Sequence, residues 1–555
     1  MSDTAEMSAT NDPKTLRTVV AASAAGTAFE WYDFFIFGSL TAVIARHFYA
    51  DVGEATSYIL ALLTFGVGFV VRPLGALVFG WFGDRTGRKK TFLVTITLMG
   101  LATVAIGLLP DYDQIGIAAP ILLLLMRVAQ GFALGGEYGG AAIYVAEHAP
   151  ARKRGFLTGW IQTTAALGLI GALAVILICR MIVGDDAFEE WGWRLPFLLS
   201  AFLLAISLWI RMKLDESPAY RRMEAEGGER RAPIREAFGR WKNLKFVLIA
   251  LTGVMFAQGA VWYCGYFYTR FFMERMLKIE VATVDMIMLW LTVASAGLYV
   301  FFGWLSDRVG RKPVMLFGMI LALVAFFPGF QALTRAANPA LAEAQATAPV
   351  VVVADPATCA LQFDPVGKTA FASSCDVAKS ALSNAGVSYE NQAGPAGSVA
   401  VVRVGDVEVA SADGAGLPAA GLKALRADVD GRLKSALTAA GYPAAADPAR
   451  TDLPLTFGIL LIFIVAATAL YGPQAAALVE LFPTRVRYTA MSVPYNIGTG
   501  WVGGLLPAAS FALVAWSGNI YFGLWYSVAF TAVAVLVTLF LMPETRGRDL
   551  DTIGD

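Results

Sequence analysis

Charge, histidine and cysteine are all scarce in this 555-residue chain. Charged residues make up 15% of it, and 43 basic side chains face 43 acidic ones, so the formal net charge is zero. A soluble globule of this length covers its surface with far more polar groups, and a balanced charge gives no footprint for nucleic acid. The two histidines, His47 and His148, fall at the ends of apolar runs, which excludes a histidine proton relay inside a membrane. No glycine-rich phosphate loop ending in Lys-Ser or Lys-Thr occurs, nor any cluster of His and Cys, nor a Ser-His-Asp arrangement. Hence ATP-driven work, a bound metal and nucleophilic catalysis are not expected, no cofactor is implied, and the chain reads as no enzyme. A cleavable leader is not expected either, because the first 16 residues are polar and the apolar run behind them is too long for a signal peptide.

What fills the chain instead is apolar sequence: 57% of residues are hydrophobic and the mean hydropathy is +0.60. About 20 apolar residues cross a hydrocarbon core. Twelve such stretches occur, at 17–45, 56–82, 91–109, 118–146, 156–180, 193–212, 246–270, 285–304, 313–333, 454–479, 489–515 and 519–541. The expectation is therefore an all-α membrane protein of twelve spans. Basic residues near span ends are retained in the cytoplasm. They follow span 2 (Arg85, Arg88, Lys89, Lys90), span 4 (Arg152, Lys153, Arg154) and span 8 (Arg308, Arg311, Lys312), which puts these loops and both termini in the cytoplasm. The connection 213–245, dense in both signs of charge (Arg221, Arg222, Glu224, Glu226, Glu229, Arg230, Arg231), reads as a solvated linker between halves.

The halves repeat. Gly80-Trp-Phe-Gly-Asp84-Arg85-Thr-Gly87-Arg88-Lys89 after span 2 returns as Gly303-Trp-Leu-Ser-Asp307-Arg308-Val-Gly310-Arg311-Lys312 after span 8. Glu147-x-x-Pro150-x-Arg152-x-Arg154 returns as Glu480-x-x-Pro483-x-Arg485-x-Arg487. The first pair lies 223 residues apart and the second 333, so about 110 extra residues sit between the second-half motifs, at 336–452. The organisation that follows is a tail (1–16), a six-helix half (17–212), the linker (213–245), helices 7–9 (246–335), an insertion (336–452), helices 10–12 (453–542) and a second tail (543–555). By parity the insertion is periplasmic. Parallel six-span halves hold a substrate near the midplane between them. Positive-inside anchoring accounts for the basic residues of these loops but for neither the acids nor the glycines. Glycines let helix ends approach, and Asp84 at a span terminus can bridge to a neighbouring loop in one conformation only, which makes the motifs a gate.

These loops resemble the signature motifs of the major facilitator superfamily. Arg72-Pro73-Leu74-Gly75, Trp191-Gly-Trp193-Arg194-Leu-Pro196-Phe, Glu216-Ser217-Pro218 and Glu480-Leu-Phe-Pro483-Thr-Arg485-Val-Arg487-Tyr488 look like its metabolite:proton symporter branch, which includes alpha-ketoglutarate, citrate, shikimate and proline/betaine permeases. Pro543-Glu544-Thr545-Arg546-Gly547 is also similar to the sugar porters. The resemblance implies a monomer in the bacterial inner membrane that takes up a small organic acid or zwitterion with a proton. Sugar uptake and drug-type export are the alternatives.

Ionisable side chains in mid-span cost roughly 3 kcal/mol or more each, and mark function. Span 1 holds Glu30 and Asp33, span 2 Arg72, and span 4 Arg127 and Glu137, all in the first half. Asp33 and Arg127 lie at similar depths, so an ion pair between them that opens on protonation of Asp33 would free Arg127 for a substrate carboxylate. Arg127, Gln130, Leu134 and Glu137 share one helical face. Gly131, Gly135, Gly136, Gly139 and Gly140 permit close packing beside it. The competing reading makes Arg127 and Glu137 a permanent architectural pair with neighbours such as Arg72. Asp33, Arg127 and Glu137 are the proton-coupling candidates, with Glu30 ranked behind them as nearer the cytoplasmic end. In the second half Gln258, Trp262, Tyr263, Tyr266, Tyr495 and Asn496 offer hydrogen bonds, an aromatic wall or a face for quaternary ammonium, although such residues also serve as packing and belt residues.

Cys359 and Cys375 both fall in the insertion, where a disulfide would close a loop of about 15 residues worth roughly 3 kcal/mol. Two free thiols are the alternative. Strand-like Val350–Val353 and Val399–Val404 with helix-like Cys375–Ala385 and Leu422–Ala440 point to a small α/β module. It would cap the entrance, recruit a periplasmic partner or leave transport untouched.

Overall fold

The computed structural model describes residues 13–49, 54–213, 215–225, 233–360 and 371–550. Glu226, Glu229, Arg230 and Arg231 of the linker lie outside them. Helix α1 (Pro13–Ser39) meets α2 (Thr41–Phe48) at a bend of 62°, and the two are apolar enough to cross a membrane only when taken together. Ten further helices are long and apolar enough to cross a membrane. In the first half these are α3 (Glu54–Thr86), α4 (Arg88–Leu108), α5 (Ala118–His148), α6 (Ala151–Val183) and α7 (Arg194–Met212). In the second they are α8 (Trp241–Met276), α9 (Val281–Val309), α10 (Arg311–Ala337), α11 (Leu453–Val479) and α12 (Arg487–Val514). The apolar α13 (Leu524–Phe540) is shorter, at 17 residues. The two bundles meet along α3 against α12 and α6 against α9.

Small residues set how closely helices approach. A methyl group at Gly131 would overlap the Gly68 carbonyl of α3, and one at Gly135 the Arg72 carbonyl, so the glycine face of α5 seats on α3 backbone. Residues turned outward are apolar instead, as with Leu101, Leu108, Phe202 and Trp209, the pattern of a chain whose solvent is lipid. Helix α8 extends beyond the expected 246–270 at both ends and carries π-helical turns at 250–255, 258–262, 264–268 and 272–276. One π turn brings Gly259 against the Gly498 carbonyl, where α12 has its own π segment, Gly498–Gly503. Such turns are frequent at functional sites.

The inserted stretch folds as an α/β module. Strands β1 (Val350–Ala354), β2 (Tyr389–Ala393), β3 (Val401–Val404) and β4 (Val407–Ala410) lie in the order β2-β1-β3-β4. The helix Ser374–Asn384 provides the crossover between parallel β1 and β2, and β3 and β4 form a hairpin that turns at Gly405, φ 54°. Alternate residues of β1 (Val350, Val352, Ala354) pack inward with Val402, Val404, Val377 and Leu382. Two strands were not expected. β2 (Tyr-Glu-Asn-Gln-Ala) has no apolar alternation, and β4 is four residues long. Cys359 and Cys375 are joined, with Cα atoms 5.2 Å apart; residues 361–370 of the closed loop lie outside the described set. The module docks on the second half. The amide of Tyr389 donates to Gly518 O (2.6 Å), Asn391 Nδ2 to Ser517 O (2.9 Å) and Lys278 Nζ to Asn384 O (2.6 Å).

Candidate functional site: a central cavity above a charge lock

At the end of the bundle opposite the module, the repeated motifs build two matching locks. In the first, Asp84 at the end of α3 accepts the amides of Tyr488 (3.0 Å) and Thr489 (2.8 Å), opening residues of α12. Arg88 lies 3.3 Å from Asp84 and 3.7 Å from Glu147, which Arg487 meets at 2.6 Å. In the second, Asp307 accepts the amides of Gly155 (2.9 Å) and Phe156 (2.7 Å) in α6. Arg311 lies 2.6 Å from Asp307 and 3.2 Å from Glu480, which Arg154 meets at 2.8 Å. Each aspartate thus caps a helix of the opposite half, where amide groups and the helix dipole favour a negative charge. Gly80 abuts Thr489 and Gly303 abuts Gly155 at these crossings. Gly87 (φ 104°) and Gly310 (φ 120°) hold a backbone conformation that side chains resist, each against a glutamate.

Three gate candidates stand outside the locks. Arg85 and Arg308 are exposed, with their guanidinium groups over Trp81 (5.2 Å) and Trp304 (4.1 Å). One residue beyond the aspartate, their side chains leave the helix on its outer face. Arg485 pairs instead with Glu236 of the linker at 2.8 Å. Conversely, the locks recruit residues not assigned to them. Glu216 accepts the amides of Arg88 and Lys89, and Glu544 those of Arg311 and Lys312. Ser217 donates to Glu147 and Thr545 to Glu480. The signal was present: Glu216-Ser217 and Glu544-Thr545 follow the last helix of each half.

Above the locks a small cavity between the halves is lined by Thr27, Glu30, Trp31, Arg72, Leu134, Glu137, Tyr138, Tyr495 and Asn496. Arg72 is 2% exposed and is set among aromatic faces, 4.6 Å from the Phe69 centroid, 4.9 Å from Phe34 and 5.9 Å from Trp31. Its Nε and Nη2 have no hydrogen-bond partner among the described residues, and no carboxylate pairs with it there. Across the cavity Tyr138 stacks on Tyr495. Asn496 donates to the Gly135 carbonyl at 2.9 Å, while its buried Oδ1 has no donor among the described residues.

Asp33 and Arg127 are not joined directly. Arg127 Nη1 donates to Gln130 Oε1 (2.6 Å), Gln130 Nε2 to Thr103 Oγ1 (2.8 Å) and Thr103 Oγ1 to Met99 O (2.9 Å), while Asp33 accepts from Ser200 (2.5 Å). Phe34 and Phe37 cover the Arg127 guanidinium at 5.1 and 4.2 Å. Similar depth does not make a contact; the shorter Asp33 side chain is taken by the Ser200 hydroxyl. Glu137 pairs with Arg211 of α7 at 3.0 Å, not with Arg72, and Glu30 reaches the same guanidinium at 3.1 Å. Of the second-half candidates, Tyr495 and Asn496 line the cavity. Gln258 sits at the α8–α12 crossing, Tyr263 packs on Gly503 and Phe69, and Trp262 and Tyr266 meet at the Tyr299 hydroxyl.

The chain is similar to known transporters. A sugar (and other) transporter family matches residues 18–232 and 438–555, and an MFS/sugar transport protein family matches 141–354. The glycine betaine/proline/ectoine/pipecolic acid transporter of Dickeya dadantii is 36% identical over 329 residues, 58% of this chain and 65% of its own length. The shikimate transporter of Escherichia coli is 35% identical over 323 residues, 57% of this chain and 72% of its own. The chain thus spans about two thirds of the length of the curated relatives it matches. The major facilitator proton:xylose symporter XylE superposes over 97% of this chain and 98% of its own with a TM-score of 0.62 at 15% identity, a likeness of fold alone.

Proposed function

The chain belongs to the sugar (and other) transporter family, a transporter and not an enzyme, and on that premise we propose that it takes up a small carboxylate-bearing metabolite together with a proton. Its relatives include proteins named as transporters of proline, betaine or shikimate. The observation that carries the reading is Arg72, a buried guanidinium in the cavity with no carboxylate of its own protein among the described residues. An unpaired buried cation is expensive, and a substrate carboxylate is the partner that offsets it. Trp31, Tyr138 and Tyr495 supply ring faces for an apolar body or a quaternary ammonium.

In this reading the broken α1–α2 span and α13 complete twelve crossings, the locks face the cytoplasm with both termini, and the module is periplasmic. The locks close the cytoplasmic side while the cavity loads, and the halves rock about it by alternating access. Sugar uptake is the second reading, favoured by the unpartnered Asn496 Oδ1, an acceptor suited to a hydroxyl. The test is uptake and internal acidification in proteoliposomes across glycine betaine, proline, shikimate, di- and tricarboxylates and hexoses. Acidification with a carboxylate-bearing solute supports the proposal; hexose uptake alone replaces it.

A further inference from the structure

Three ionisable groups from three helices meet under the cavity: Glu30 of α1, Glu137 of α5 and Arg211 of α7, exposed by 2%, 3% and 2%. One atom, Arg211 Nη2, holds both carboxylates, at 3.1 Å from Glu30 Oε1 and 3.0 Å from Glu137 Oε1. The two carboxyls thus sit around a single guanidinium nitrogen. Thr95 donates to Glu137 Oε2 at 2.8 Å, whereas beyond the Arg211 ion pair neither Glu30 oxygen has a hydrogen-bond donor among the described residues. Arg211 is clamped, its guanidinium 3.8 Å from the Phe92 centroid and packed against Gly26, where a methyl group would overlap it.

Fully ionised, this buried triad carries one excess negative charge. Two carboxyls held at one site lower that energy by sharing a proton. The other titratable groups facing it are Tyr488 and Tyr495 of α12, Tyr138 of α5 and Arg72 of α3. With Arg72 counted, the buried charges sum to zero while the cavity is empty. A substrate carboxylate on Arg72 removes that balance, and a proton on the glutamate pair restores it.

We propose that Glu30 and Glu137, held together on Arg211, share one proton, and that this pair, not Asp33, is the proton site coupled to a carboxylate on Arg72. The coupling step rests on the transport reading above; the proton site itself does not. Asp33 does not line the cavity; its carboxyl accepts from Ser200 of α7.

Difference infrared spectroscopy on the lipid-reconstituted full chain, stepped from alkaline to acidic pH, reads the protonated carboxyl directly. A shared proton requires that Glu30→Gln and Glu137→Gln each reduce the carboxyl band about fivefold or more, because the remaining glutamate becomes a simple partner of Arg211. Arg211→Gln, which leaves both acids uncompensated, should raise the band about twofold. Should neither glutamine variant fold, the arginine variant decides. A band that survives in a folded glutamine variant, that is unchanged in Arg211→Gln, or that is lost in Asp33→Asn overturns the assignment. Uptake of radiolabelled glycine betaine, proline and shikimate is scored separately, and its absence in the unmodified protein sinks the transport reading without touching the band.

Discussion

Tyr138 of α5 and Tyr495 of α12 stack face to face across the boundary between the halves, with ring centroids 3.7 Å apart and planes 6° from parallel. Each hydroxyl is tied within its own half, Tyr138 by Gln162 Nε2 (2.7 Å) and Tyr495 by the Tyr471 hydroxyl (2.9 Å). On the proposed rocking of the halves, the stack should part while each ring keeps its hydrogen bond.

A double-mutant cycle on Tyr138→Ala and Tyr495→Ala should therefore give a coupling of about 0.5–1.5 kcal/mol in substrate affinity or conformational balance. Additive effects would show that the two rings act alone.

Arg72→Lys should lower uptake about tenfold or more, because an ammonium lacks the fork that meets a carboxylate and the flat face that rests on Phe69 and Phe34. Uptake near the unmodified rate would show that the cation binds as a point charge, or not at all.

Asp84→Asn and Asp307→Asn each keep one acceptor but lose the second oxygen that caps the opposite half and the charge that compensates a buried arginine, a loss of up to about 3–5 kcal/mol for a broken buried pair. Alkylation of Ser492→Cys, buried beside Gly139, in a protein with Cys179 and Cys264 replaced, should speed up about tenfold in either variant as that end opens. Unchanged rates would mean the locks do not hold this state.

Cys359→Ser together with Cys375→Ser should destabilise the module by about 3 kcal/mol and expose it to limited proteolysis, with uptake kept within about twofold. Uptake that falls in step with cleavage would instead make the module part of the transport cycle.

The locks were legible because each aspartate, glycine and arginine recurs at the same spacing in the second half, so the lock read from Asp84 also describes Asp307. Arg72 was legible because a guanidinium in mid-span is costly and so marks function. Arg211 was not: at the end of α7, next to Lys213, it reads as one more basic anchor, and only its burial between two glutamates reveals otherwise. Glu30 was ranked low for the same reason, since its nearness to a span end implied water where the fold supplies Arg211. Tyr138 was hidden in the glycine-rich face of α5, whose glycines serve packing while this one ring crosses to α12. β2 left no trace because its pairing, and not its composition, makes it a strand.

The module hangs on Gly518, Ser517 and Lys278, all of the second half. It therefore breaks the near-twofold resemblance that makes transporters of this shape hard to orient in single-particle images. A soluble mass fixed to one half serves as a built-in fiducial, so particle alignment needs no bound antibody and every tilt between the halves is measured against a marker the chain already carries.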